Sequence, residues 1–521
     1  MTSLPLWTDG IERTTNGSTP HWVKVLDQSR CIGCHACTTA CKSENEVPLS
    51  VTRTYVKSVD VGVFPEARRN FQVTRCNQCT DAPCVTACPT SAMFKREDGI
   101  VDFDKSACIG CKACIAACPY DAIFINPEDH SAEKCNFCAH RIDVGLEPAC
   151  VVVCPVEAIL VADLNDTDAK ATQLINREPV AVRRPEKDTK PNVFYRGAHQ
   201  ATLDPLAARR PEGDIFAFAN QYPDDGHRMN AGVVDAANSS AAAMLHYDVG
   251  HNVPWDWRVG LYTFTKSIAA GVYLMAALLF VLGYLEAGGL WVWATPVLGA
   301  GFLGLTGAIL IWDLEHPERF YYLFTRPQWR SWLVRGGIII GAYGAVLALH
   351  FLASLLDANG LRSALIVAGL PLAAMTSVYT AFLFAQAKAR DLWQNPLLPP
   401  HLLVQAAMAG AAVLTIAGTI ADDPVTGVAA TVLAWTAGAH VLMVLGEVWL
   451  PHGTAHARMA THHLVAGKFA LPFWGGVALA VLAIIAPFAA WAAVPAAVMA
   501  LAGLWAYEHA YVQAGQSVPL A

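Results

Sequence analysis

The sequence predicts two architectures in one chain: a cysteine-rich α+β half built as tandem units, then an all-α integral membrane half of about eight transmembrane helices. Three observations carry this. All 16 cysteines of the 521 residues lie between Cys31 and Cys154. That stretch repeats itself internally. From Gly260 onward the chain is dominated by apolar runs near the ~20 residues that a helix needs to span a bilayer.

Composition sets the boundaries. The chain is 54% hydrophobic and 15% charged, where soluble domains run at roughly 45–50% and about 25%. The excess sits in the second half, which gives three expected parts: 1–165 as a cluster-binding domain, 166–258 as a polar linker or strap, and 259–521 as the membrane domain. The formal net charge of −7 and the lack of a basic face argue against a nucleic-acid partner. Met1 to Gly17 is polar and lacks the apolar core of a secretory signal.

The cysteines fall into four groups: Cys31, Cys34, Cys37 and Cys41; Cys76, Cys79, Cys84 and Cys88; Cys108, Cys111, Cys114 and Cys118; and Cys135, Cys138, Cys150 and Cys154. The first and third have the spacing C-x2-C-x2-C-x3-C, the run that holds cubane iron–sulfur clusters in bacterial ferredoxins. Three close thiolates wrap one cube, and the fourth, beyond a turn, points to a neighbouring cube. Pro89, Pro119 and Pro155 follow the last cysteine of groups two to four and set the next turn. Sixteen thiolates at four per cube make four 4Fe–4S clusters. A disulfide framework needs an oxidising compartment. Zinc sites use separated pairs of ligands. The haem-attachment pattern Cys31-Ile-Gly-Cys34-His35 lies inside a complete cluster loop.

In chain order, Trp22 to Leu26 is a strand candidate that leads into the first loop. Cys31–Cys41 is nearly repeated by Cys108–Cys118, and the Cys76 group is echoed by the Cys135 group with a longer insert before Cys150. Gly99 to Phe103 and Ala122 to Ile125 read as the small strands that cover such clusters. Residues 155–258 form a mostly polar connection with little periodicity, a length that in compact domains marks a functional strap or a tether.

Eight apolar segments follow, at 260–284, 289–312, 332–356, 361–386, 401–420, 425–450, 469–489 and 491–511. The last two nearly merge, so seven is the competing count. Alternate loops carry Arg319, Arg326, Arg330, Lys388, Arg390, Arg458 and Lys468, while the opposite side shows only Arg362. The positive-inside rule then puts the basic loops and the cysteine-rich half on the cytoplasmic side of a bacterial inner membrane.

The four groups, with C-x2-C-x4-C-x3-C-P in the second and C-x2-C-x11-C-x3-C-P in the fourth, resemble the electron-transfer subunit of dimethyl-sulfoxide-reductase-family molybdoenzymes. Asp313-Leu-Glu-His-Pro-Glu-Arg-Phe320, the run from Thr325 to Trp332, and Ser377-Val-Tyr-Thr380 resemble the NrfD/polysulfide-reductase membrane subunit. The two look fused here, which departs from the usual separate arrangement. The resemblance implies a tandem bacterial-ferredoxin-like fold and interleaved ligands: Cys31, Cys34 and Cys37 with Cys154; Cys135, Cys138 and Cys150 with Cys41; Cys76, Cys79 and Cys84 with Cys118; Cys108, Cys111 and Cys114 with Cys88. It also implies a large molybdopterin-containing catalytic partner and a quinone or quinol as exchangeable substrate, with the group-three cube nearest the quinone.

A quinone site needs polar groups at the charged membrane interface. The candidates are Trp257, Tyr262 and Lys266 on the first span, Asp313, His316 and Arg319 after the second, and Tyr379 on the fourth. A lysine inside a span is costly and marks function, or else an anchor reaching the headgroups. His440 and Glu447 are seven apart on one helical face, placed to relay protons or to bond helices together. The expected function is a respiratory electron wire between catalytic partner and quinone pool, with no primary substrate site of its own. The rival partners are a hydrogenase or a multihaem module. A haem b anchor using His350, His401, His440 or His452 is the reading from another class.

Overall fold

The computed structural model describes residues 19–63, 65–210 and 243–521. The polar lead-in and the middle of the polar connection, with its Pro211-Glu212, lie outside the described residues. The chain forms two compact units. The first comprises residues to 110, 117–252 and 519–521, and the second comprises 111–116 and 253–518.

The first unit is built on short strands. β1 (Trp22–Asp27) lies at the expected lead-in. It pairs antiparallel with β8 (Ile159–Asp163) and parallel with β10 (Val193–Arg196), which pairs with β9 (Val180–Ala181). Val23, Val25, Leu26, Val193 and Tyr195 are buried there. The described part of the polar connection is thus built into the first unit. Its strands of two to five residues are too short to show a period of two in the sequence. Helix α1 (Ala36–Glu44) follows the first cysteines, and α2 (Lys170–Arg177) follows β8. β2 (Thr54–Val61) pairs with β3 (Arg68–Arg75) and with β11 (Ala243–Tyr247). The duplicated loops are covered by two matching hairpins, β4 (Met93–Lys95) with β5 (Val101–Phe103) and β6 (Ile123–Ile125) with β7 (Ala132–Lys134). Conventional core is sparse, and buried polar links take part of its role: Arg53 Nε donates to Glu133 Oε1 at 2.6 Å, with both side chains buried.

The second unit is all-helical: α3 (Trp257–Val281), α4 (Thr295–Trp312), α5 (Trp332–Leu355), α6 (Asn359–Gln386), α7 (Leu398–Ala421), α8 (Val425–Trp449), α9 (Ala455–Val465), α10 (Ala470–Ala483) and α11 (Ala493–Gln516). A π-turn, Leu290–Ala294, lengthens the second span at its start. Of the eight apolar segments, seven give helices long and apolar enough to cross a membrane, among the described residues. The eighth forms α11, where Glu508, His509, Gln513 and Gln516 dilute the apolar run and Glu508 is buried. Helices α3 and α7 cross closely because Gly271 and Gly410 meet there. A Cβ on either would overlap backbone of the other helix, which is the small-residue contact that packs membrane helices.

Candidate functional site

The cysteine loops owe their shape to left-handed residues between the ligands. Gly33 and His35, Gln78, Gly110 and Lys112, and Phe137 all have positive φ, and each such residue turns the backbone so that flanking thiols face one point. Gly33 has no substitute: its φ is +70° and a Cβ would overlap the Phe71 ring. None of the 16 cysteines is in a disulfide.

The thiols sort by their electrostatic neighbours. Cys154 lies beside Cys31 and Cys37. Cys41 lies beside Cys135, Cys138 and Cys150. Cys118 lies beside Cys76, Cys79 and Cys84, and Cys88 beside Cys108. The neighbours also cross these sets, with Cys150 beside Cys37 and Cys135 beside Cys76. Among the described residues no three His, Cys, Asp or Glu side chains close around a single ion. The donor set is all thiol, in fours, largely buried, which fits multi-iron clusters. Backbone N–H groups aim at the sulfurs: Ala158 at Cys154 (3.2 Å), Met93 at Cys88 (3.3 Å) and Ala132 at Cys108 (3.4 Å). The fully buried Arg75 donates from Nη1 to Cys150 Sγ at 3.1 Å. Burial pushes the Cys150 thiol up, but Arg75 and Lys24 outweigh it and hold the thiol below its ordinary value.

The second unit contains a cavity of about 110 Å³ whose walls include Cys111, Trp255, Tyr262, Asp313, Phe320 and Tyr379. The Trp255 indole donates to Cys111 O at 3.2 Å. Asp313 ends α4, with Arg258 Nε at 3.4 Å and Lys112 Nζ at 3.8 Å from its Oδ1. Burial pushes its carboxyl up to about 6 against the pull of those two cations. Lys266 lies behind Tyr379, its Nζ 5.4 Å from the ring centroid, and donates to Ser377 O at 2.7 Å and Thr380 Oγ1 at 2.8 Å. A lysine so bound inside the bundle does not reach the headgroups.

Of the sequence candidates, Tyr262, Asp313 and Tyr379 share this cavity and Lys266 backs it. Trp257 is outside it, packed edge-on against Trp312 and half exposed. His316 and Arg319 also lie outside it, both turned to Glu318. Sequence reasoning did not single out Trp255 and Phe320. His440 and Glu447 are brought together by a residue of another helix: His401 of α7 bonds both. The His401 and His440 rings touch, His350 Nε2 meets Trp291 O at 3.0 Å, and His452 Nε2 meets Thr461 Oγ1 at 2.9 Å. The two rings in contact leave no space for a porphyrin between them.

Comparison with known proteins follows this division. Residues 22–43 match a 4Fe-4S binding domain and residues 67–164 a 4Fe-4S dicluster domain. Residues 248–518, more than half of the 521, match Polysulphide reductase, NrfD. This protein belongs to the polysulphide reductase NrfD family. As an NrfD-family protein it also carries a 4Fe–4S-binding half similar to separate iron–sulfur subunits. It is 41% identical over 202 residues to a tetrathionate reductase subunit of Salmonella typhimurium, covering 37% of this chain and 79% of that one. It is 42% identical over 173 residues to a polysulfide reductase chain of Wolinella succinogenes, covering 33% and 91%. It is 35% identical over 260 residues to the iron-sulfur subunit of a putative dimethyl sulfoxide reductase of Halobacterium salinarum, covering 44% and 95%. The chain is therefore a multi-pass membrane protein that fuses an iron–sulfur electron-transfer subunit to an NrfD anchor.

Proposed function

We propose that this chain links a large molybdopterin-containing catalytic subunit to the quinone pool through four 4Fe–4S clusters. Its cluster half lies on the cytoplasmic side of a bacterial inner membrane. The observation that carries the reading is the cavity of the membrane unit, where Tyr262, Tyr379 and Asp313 share walls with the group-three ligand Cys111. A cavity that is apolar with a few convergent polar groups suits a planar ring with two carbonyls. It abuts the loop expected to hold the last cluster of the wire.

When bound, the clusters supply one-electron carriers. The chain's residues do the rest. Buried thiols keep water from the metal. Tyr262 and Tyr379 are placed to hold a carbonyl or hydroxyl of the ring, and Asp313 to exchange a proton there. Lys266 holds Ser377 and Thr380 and stiffens the wall beneath Tyr379. The names of the relatives, tetrathionate, polysulfide and dimethyl sulfoxide reductase subunits, point to a catalytic partner acting on a sulfur oxyanion, a sulfur chain or an S-oxide.

The complex purified anaerobically tests this. We expect about 16 irons per chain from four cubes, molybdenum in the copurifying large subunit, and cluster reduction by a short-chain quinol. Lys266→Ala and Tyr379→Phe keep the iron and raise the apparent KM for quinone. Iron near eight per chain, stoichiometric zinc, or native quinone kinetics in both variants defeats the proposal.

A further inference from the structure

The membrane unit holds a second group of titratable side chains that the cavity does not use. His401 Nδ1 lies 3.0 Å from Glu447 Oε1, and its Nε2 lies 2.8 Å from His440 Nδ1. From α11 the Tyr507 hydroxyl donates to the other Glu447 oxygen at 2.6 Å. The Gln405 amide stands 3.3 Å from His401 Nε2. All five side chains are buried, and His440 Nε2 has no partner among the described residues. The neighbouring aromatic groups are Phe473 of α10 and Tyr511 of α11, both against Tyr507.

Three helices do not bring two imidazoles, a carboxylate and a phenol together out of water for packing alone, because an apolar set of that volume would cost less. The order of the groups suggests a use. With the array at its lower proton count, His401 Nδ1–H donates to the Glu447 carboxylate, His401 Nε2 accepts from His440 Nδ1–H, and His440 Nε2 is bare. With one more proton the His440–His401–Glu447 chain is reversed: Glu447 is protonated and donates to His401 Nδ1, His401 Nε2–H donates to His440 Nδ1, and His440 Nε2 carries a hydrogen. The Tyr507 bond keeps its direction, and the Gln405 amide, a donor to His401 Nε2 in the first state, turns over to offer its oxygen in the second. The two states differ by one proton and by that amide flip.

Beyond the array lie two further buried titratable groups. Next to Tyr507 on α11 is Glu508, whose Oε1 accepts from Ser267 Oγ at 3.3 Å and whose Oε2 has no partner among the described residues. Glu508 and Lys266 are electrostatic neighbours inside the bundle, and Lys266 backs the cavity wall. Both polar stations therefore lie among α3, α7, α8 and α11.

We propose that His401, His440, Glu447 and Tyr507 form a proton-loading site serving the quinone cavity, with Lys266 and Glu508 between the two. The inference rests on the quinone reading above. Oxidation of one quinol gives one quinone, two electrons that leave singly to two oxidised clusters, and two protons. One of those protons ends on Glu447 with the two imidazole tautomers reversed, and the other goes to the Asp313 carboxylate of the cavity wall.

The test uses the complex, with three readouts: equilibrium binding of a short-chain quinone, the rate at which a short-chain quinol bleaches the clusters in H2O and D2O, and the redox-difference infrared spectrum. Glu447→Gln should keep iron content and quinone affinity, lose a carboxyl band, and slow bleaching by about tenfold or more. Tyr507→Phe should keep packing and shift that band, because the carboxyl loses one donor. Native bleaching in both variants, with no Glu447 band in the native spectrum, overturns the loading site while leaving the cavity intact. If Glu447→Gln loses its iron, Tyr507→Phe decides: a shifted band supports the site and an unshifted one overturns it. A native complex that neither binds quinone nor is bleached by quinol overturns the quinone reading, and the loading site with it.

Discussion

Arg75 reaches the Cys150 sulfur from the end of β3, its Nη1 3.1 Å away in a site where neither residue is exposed. A guanidinium is always charged, and a charge-assisted hydrogen bond to a ligating sulfur stabilises the more negative state of whatever the sulfur holds.

From this, Arg75→Met should lower the midpoint potential of the cluster that we propose Cys150 to hold with Cys41, Cys135 and Cys138 by some tens of millivolts, on the general scale of hydrogen-bond tuning. Arg75→Lys should recover part of the shift. The measurement is an anaerobic redox titration followed by electron paramagnetic resonance. Unchanged potentials with full iron would show that the arginine serves packing only.

His251 supplies a pH-dependent element of the first unit. Its Nδ1 lies 2.5 Å from Asp121 Oδ2 and its Nε2 3.1 Å from Asp248 Oδ1. Burial opposes the charged ring, but the two carboxylates outweigh it and push the imidazole up to about 9. The folded value is above the unfolded ~6.5, so the stabilisation is complete below about pH 6.5 and fades as pH rises through 9. Its size is on the order of 3 kcal/mol. Thermal denaturation of the cluster half should show a midpoint that falls between pH 7 and 9.5. His251→Gln should flatten that fall, and a parallel slope in the variant would remove His251 from the account.

Much of this was legible in the sequence, because cluster ligands come as local motifs and membrane spans as long apolar runs. The hairpins β4–β5 and β6–β7 could be read from the duplication around them. What stayed hidden depends on distant contacts. Arg75 is one arginine beside a cysteine until the fold delivers Cys150 to it. Trp255 reads as an interfacial aromatic until it meets Cys111 O. His401 was visible only as one of several histidines, and Glu508 as a blemish in an apolar run. Their meaning comes from partners 39 and 46 residues away for His401 and 241 away for Glu508, beyond the reach of any periodicity.

The basic loops predict an orientation for the membrane unit. Reporter fusions after Glu286, Asn359 and Asp423 should read outside, and those after Arg326 and Ala389 inside, because the arginines and lysines gather in the second set of loops. The reverse pattern would mean that these charges dock a neighbouring protein surface, and that the cluster half is exported.

The cavity wall can be probed at a residue with no chemistry of its own. Gly336 of α5 lies flat against the Tyr379 ring of α6, and a Cβ there would overlap Cδ2 and Cε2 of the ring. Tyr379 is almost wholly buried and lines the cavity, so the ring must turn into the cavity to make way. Gly336→Ala should therefore weaken quinone binding by about tenfold, the factor that ~1.4 kcal/mol of displaced fit represents, while iron content and membrane insertion stay native. Gly341 is the control, since a Cβ there meets nothing within 4 Å, and Gly341→Ala should bind quinone as the native chain does. The measurement is a binding titration of a short-chain quinone against both variants. Equal, native affinities would mean that Tyr379 does not border the ring site, and the cavity would have to be assigned to something other than quinone.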